Sequence, residues 1–188
     1  MSEVIEVTAD MIEKAVRMLD GIPGASDKAV ARALNRALAS GRTAGVREAS
    51  KLYTAKQSDI RADFKDTKRA SARDLSAGIS GRGSNLPLTK FLYKPRKDTT
   101  GANRAPVYAA VRKGGVKSLG GRAFVWEEIG NIFMRLGDTR LPIKKLTGPS
   151  IPGLLSNEQV ADAVVDKLAE TAEKRLAHEI LRILEEAD

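Results

Sequence analysis

Cysteine is absent from this chain and histidine occurs once, at His178. Those two facts remove disulfides, thiol nucleophiles and any Cys/His zinc site. Aromatic residues make up only 4%, as one Trp, three Tyr and four Phe, which leaves a thin core of Ala, Val, Leu and Ile that an oligomeric partner would help stabilise. No apolar run approaches the ~18 residues of a membrane span. The opening MSEVIEV lacks the charged and apolar regions of a signal peptide, so the reading is a soluble chain made in the cytosol, with no membrane partner.

Also missing is any catalytic constellation. His178 has only Glu179 beside it and no Cys, Asp or Ser at a useful spacing. Glu127 and Glu128 are adjacent, and on a strand they would point to opposite faces, unable to share one substrate atom. The glycine-rich stretches GRGSN and KGGVKSLGGR lack the G-x-x-x-x-G-K-[ST] spacing of a phosphate cradle. No catalytic residue, cofactor or metal is therefore assigned, and the chain is read as a non-enzyme.

What is present begins with charge. The 188 residues, 20.2 kDa, are one domain's worth of chain, 42% hydrophobic and with a net charge of +8. That charge is uneven: −3 over residues 1–25, +6 over 26–75, +10 over 76–157 and −5 over 158–188. A basic middle between acidic ends steers the chain toward an acidic surface, nucleic acid or protein; the plainer reading is a solvated basic face compensated by the acidic ends of the same or a neighbouring copy.

Periodicity gives the elements. Val4–Val7 reads as a short strand, followed by a helix capped at Thr8 or Asp10 with Ile12, Ala15, Val16 and Leu19 on one face. Ser26 offers an N-cap for a longer helix to about Tyr53, apolar along Val30, Ala33, Leu34, Ala37 and Leu38, with small residues at Gly41, Ala44 and Gly45 that let another backbone approach. A helical turn from Ser58 to Phe64 ends a helical part at about residue 65. Residues 66–147 read as a sheet interrupted by loops at 81–85, 94–106 and 113–122, the second of them mobile. The basic residues Arg82, Lys94, Arg96, Lys97, Arg104, Lys113, Lys117 and Arg122 lie in or beside those loops and are candidate contacts for DNA phosphates or an acidic protein.

Ala123–Pro152 reads as three short strands, with reversals at Gly130-Asn131 and Gly137-Asp138, closed by a rigid Gly-Pro-Ser-Ile-Pro turn. One side of this meander is predicted to be apolar and the other basic, through Arg135, Arg140, Lys144 and Lys145, and Pro142 argues that its last strand is an edge or begins there. Beyond it, Ser156-Asn157-Glu158-Gln159 has the form of a capping box. It would open a helix over 156–187 whose stripe from Val160 to Leu184 covers the sheet or pairs with a neighbouring subunit, with Glu170 and Lys174 as an i,i+4 pair. The fold class is thus α+β, with N-terminal helices and a long C-terminal helix on a mainly antiparallel sheet with long basic loops.

Ala33-Leu34-Asn35-Arg36, Leu86-Pro87-Leu88 with Phe91, Ala123-Phe124, Arg135, Arg140-Leu141-Pro142-Ile143 and Gly148-Pro149-Ser150 occur in that order before the long helix. Together they resemble the prophage minor tail protein Z family over nearly the whole chain. The resemblance implies a structural tail-completion component of a long-tailed bacteriophage, made in the host cytoplasm and acting at the head-proximal end of the tail in head–tail joining. Its implied partners are other tail or connector proteins and further copies of itself in a ring. Asn35, Arg36, Arg135, Arg140, Lys144 and Lys145 become the candidate assembly surface. The alternative is a basic protein contacting DNA without sequence preference, in the tail channel or apart from any virion.

Overall fold

Alanine and glycine recur at every fourth position through Ala25, Ala29, Ala33, Ala37, Gly41, Gly45 and Ala49, and the fold is organised around that ridge. The computed structural model describes residues 3–5, 17, 19, 24–97, 99 and 105–187. In chain order its elements are β1 (Glu3–Ile5), α1 (Ala25–Leu52), α2 (Gln57–Asp63), β2 (Phe64–Lys68), β3 (Ala77–Gly81), β4 (Asn85–Pro87) and a 3-10 turn (Leu88–Lys90). There follow β5 (Leu92–Lys94), β6 (Tyr108–Ala110), β7 (Lys117–Ser118), β8 (Ala123–Trp126), β9 (Asn131–Arg135), β10 (Ile143–Lys145), β11 (Thr147–Ser150), α3 (Ile151–Leu155) and α4 (Glu158–Ala187). The helix expected between Thr8 and Leu19 lies outside the described residues, apart from Arg17 and the buried Leu19.

The small ridge of α1 is buried along its whole length. A ridge of the same period with larger side chains, Val160, Val164, Leu168, Ala172, Leu176 and Ile180, runs down α4 and is equally buried. Small residues on one helix and large ones on the other let two i±4 rows interdigitate closely. A Cβ built on Gly41 would lie 2.5 Å from Leu168 Cγ, and one on Gly45 2.6 Å from Val164 Cγ2. The helices run antiparallel: Gln159 Nε2 donates to Glu48 at 3.0 Å near one end, and Arg32 meets Glu179 at 3.4 Å near the other. Each glycine weakens α1 by about 1 kcal/mol against alanine. Burying each Val, Leu or Ile opposite returns about 1.5–3 kcal/mol, so the close approach wins. The long C-terminal helix therefore covers a helix of its own chain, rather than chiefly the sheet.

Both helix starts differ from the sequence reading. Gly24 occupies the N-cap of α1 with φ 67°, a left-handed conformation suited to glycine, and Ser26 sits inside the helix. At the other helix Ser156 closes α3 instead of opening α4: its N–H donates to the Pro152 carbonyl at 2.9 Å and its hydroxyl to Gly153 at 3.3 Å. Gln159 is held by Glu48, so the capping box does not form; the Asn157 carbonyl accepts the Val160 and Ala161 N–H groups. The Lys51 ammonium, with Gln159 adding to it, holds the Glu48 carboxyl below the usual carboxylate range. On the outer face of α4 Glu170 pairs most closely with Lys167, at 2.7 Å, and Lys174 adds only a weaker attraction.

The single expected sheet is divided into small antiparallel ones, ordered β1-β3-β2, β5-β6-β7, β10-β9-β8 and β11-β4. The Gly-Pro-Ser segment is not a free turn. Thr147 and Ser150 pair with Pro87 and Asn85 across an irregular register, and Ser150 then caps α3, its Oγ accepting the Gly153 N–H at 3.3 Å. Neither later loop is wholly open: β7 lies within 113–122, and Thr99 within 94–106 is 3% exposed. The Thr99 N–H donates to the Val125 carbonyl and its Oγ1 accepts the Val125 N–H at 2.9 Å, which holds Thr99 on the edge of β8.

Candidate functional site

Residues next to each other across an antiparallel ladder share a face, so the register of β8–β10 decides what this sheet shows to solvent. Phe124 lies opposite Phe133, Arg135 opposite Ile143 and Lys145 opposite Phe133, which puts them on one face with Trp126. The other face carries Val125 and Ile132 into the core. Arg135 and Lys145 thus share a face with the aromatics, whereas Lys144 stands beside Met134 on the opposite face, at an exposed position. The expected division into an apolar and a basic side is not what forms.

On that outward face the Phe124 and Phe133 rings stack at 6.0 Å and Trp126 meets Phe133 edge-on at 5.9 Å. The Arg135 guanidinium lies 5.0 Å over the Phe124 ring and donates through Nη1 to the Arg140 carbonyl at 3.1 Å. A cation over a ring face is favoured by the ring quadrupole, and here it fixes an arginine on an aromatic platform. Arg140, Leu141, Ile143 and Glu128 complete a groove of about 480 Å³ around it. Glu127 and Glu128 belong to the turn between β8 and β9, not to a strand. The β10 strand is a sheet edge and begins directly after Pro142, so both readings of that proline hold.

A second, more basic groove of about 680 Å³ opens where α1 hands over to the β5–β6 sheet. Thr54 builds its floor: its N–H donates to Val111 at 3.0 Å, its hydroxyl to Ala110 at 2.5 Å, and Oγ1 accepts the Leu92 N–H at 2.9 Å. Lys56, Lys90, Arg96 and Lys113 line it, with Lys90 paired to Asp59 at 2.8 Å and Arg96 5.7 Å over the Tyr93 ring. Arg96 and Lys113 were legible as loop cations. Lys56 and Lys90 were not, because a helix end and a 3-10 turn carry them, and nothing short of the fold brings these elements together.

The remaining candidates disperse. Lys94 and Lys97 are exposed next to the second groove, and Lys117 is exposed on β7 of the same sheet. Arg82 is exposed in the β3–β4 connection, and Arg122 is paired with Asp138 at 2.7 Å. Arg104 lies outside the described residues. In α1, Arg36 is exposed, but Asn35 is half-buried and serves the fold. Its Nδ2 donates to the Ala70 carbonyl at 2.8 Å and its Oδ1 accepts the Ala70 N–H at 3.0 Å, which fastens the β2–β3 connection to the helix. Lys68, with Ser76, closes that connection around Asp74 and lowers its carboxyl to about 2. Among the described residues no group of acidic or histidine side chains is placed to hold a metal, His178 is exposed, and no helix is long and apolar enough to cross a membrane.

The family model for prophage minor tail protein Z matches residues 11–186, nearly the whole chain. The chain belongs to that family. It is thus a minor tail protein of phage or prophage kind, in a structural family. Comparison with curated proteins and with solved structures returns no match. The residues that carried the resemblance now have physical roles in this minor tail protein. Ala33 and Leu34 lie in the α1 core, Asn35 clamps Ala70, Arg135 caps the aromatic platform, and Gly148 lies under the Phe91 ring.

Proposed function

We propose that this minor tail protein completes the tail at its head-proximal end, where a ring of copies joins tail to head. The membership of residues 11–186 in the tail protein Z family carries this reading. Two solvent-facing grooves, one floored by aromatic rings and one lined by four cations, support a role in contact. The protein then works in the virion tail, after assembly in the host cytoplasm, against tail or connector proteins. Deleting its gene from an inducible prophage is expected to leave filled heads and separate tails in electron micrographs. Infective titre should fall by orders of magnitude and return on complementation. A normal titre of joined particles would remove the proposal.

The basic groove favours a second reading, contact with the duplex that passes through the junction. Lys56, Lys90, Arg96 and Lys113 would then neutralise phosphates without reading bases. Affinity for duplex DNA of any sequence should fall steeply with salt, and Lys56→Ala with Lys113→Ala should flatten that dependence. No retardation even at low salt excludes it.

A further inference from the structure

With one Trp and four Phe in all, the chain sets Trp126, Phe124 and Phe133 on the face of the β8–β10 sheet that turns from the core. Packing within one copy does not use that face fully: Phe124 is covered, at 7% exposed, but Trp126 and Phe133 are only half-buried and Leu141 at the groove is 64% exposed. Aromatic rings flanked by arginine are the make-up of interface hot spots. Arg135, Arg140 and Glu128 line the groove, and Lys145, opposite Phe133 on the same face, leaves its surroundings net positive; Arg140 and Lys145 are both exposed.

The far end of the molecule has the complementary make-up. Near the end of α4 Leu181 is 56% exposed and Glu185, one turn on along the same face, is exposed, while Glu186 beside it pairs with Arg182 at 3.1 Å. Residues 158–188 carry −5 and residues 76–157 carry +10. The Glu179–Arg32 pair sets this acidic tip beside the start of α1. The aromatic sheet is tied instead to the far end of α1. Thr54 holds β5, the adjoining Leu88 N–H donates to the Leu146 carbonyl, and Thr89 donates to Gly130 at 2.9 Å. Arg32 and Leu52 are roughly 30 Å apart along the helix axis at 1.5 Å per residue. The two surfaces lie toward opposite ends of the helix pair, and a contact between them is one between copies.

We infer that the groove on the β8–β10 sheet receives the α4 tip of a second copy of this chain. Leu181 seats against Trp126 and Leu141, and Glu185 faces Arg140 and Lys145, with Glu186 adding to the acidic charge behind it. The two partners use different patches, so the contact is heterologous: repeated, it closes into a ring or runs on as a filament. This deepens the ring proposed above and rests on that reading.

The absence of cysteine makes the test direct. Leu141→Cys and Leu181→Cys are each made alone, both at exposed positions, then mixed and oxidised. The mixed disulfide dimer is expected several-fold above either homodimer, and the double variant should give a ladder. Glu185→Lys with Glu186→Lys should lower the mixed yield several-fold, and Arg140→Glu with Lys145→Glu in the partner should restore it, with circular dichroism unchanged throughout. A statistical mixture of dimers, a dominant Leu141→Cys homodimer, or indifference to the charge reversal overturns the inference. Cross-linking together with normal virions after gene deletion would sink tail completion and leave the contact standing. Unjoined heads and tails without cross-linking would do the reverse.

Discussion

Replacing Gly41 by valine is expected to destabilise the protein by about 3 kcal/mol, the upper part of the usual range for overpacking a core. One neighbour, Leu168, decides the sign. On propensity alone any side chain at a mid-helix glycine is a gain, about 1 kcal/mol for alanine. Here the new Cβ would stand 2.5 Å from Leu168 Cγ and 2.6 Å from Leu168 Cδ2, on a side chain only 1% exposed. Leu168 cannot swing away without opening the ridge between Val164 and Ala172. For a chain of this size the loss corresponds to a fall in melting temperature on the order of 10 °C. Gly41→Ala should also be destabilising, against its propensity. Leu168→Ala alone should cost about 2–5 kcal/mol through the cavity it leaves. Combined with Gly41→Ala it should cost less than the sum, because each change makes room for the other. Urea unfolding of the four proteins measures this coupling, and simple additivity would show that the ridges do not meet at Gly41.

The second large effect is expected at Gly148. A Cβ there would collide with Phe91 Cε2 and stand 2.9 Å from its Cζ and 3.0 Å from its Cδ2. A ring 3% exposed has nowhere to turn, and Pro149 restricts the backbone on the other side. Gly148→Ala should therefore cost about 2–3 kcal/mol, although glycine is otherwise a poor strand residue. Phe91→Leu in the same chain should recover part of it. The same unfolding measurement checks both, and a neutral Gly148→Ala would mean that the glycine answers to backbone conformation rather than to Phe91.

Much of this could be read from residue order. The long helices at 25–52 and 158–187 follow from their apolar stripes, and the β8–β10 meander from its Gly-Asn and Gly-Asp reversals. What periodicity could not supply was partners. The small residues of α1 announced a close approach without saying that α4 makes it, since a stripe encodes burial and not its occupant. Ser156 and Gln159 satisfy a capping rule in sequence, yet α3 and Glu48 claim them first. Gly148-Pro149-Ser150 has turn composition, but β4 offers it a ladder from sixty residues upstream. Arg135 and Lys144 were read together as one basic side, whereas the period of two sends them to opposite faces, and only the register with β8 shows Arg135 joining the aromatics. Asn35 was legible as a position and not as a clamp, because Ala70 carries no side-chain signal of its role.

The central claim is tested most directly by electron cryo-microscopy of the head–tail junction in particles from a prophage that carries this gene. Density for a closed ring of copies between tail tube and head, each contributing the antiparallel α1–α4 pair, is the expected result. A junction fully occupied by other chains, with this protein missing or placed at the distal tip, would contradict it.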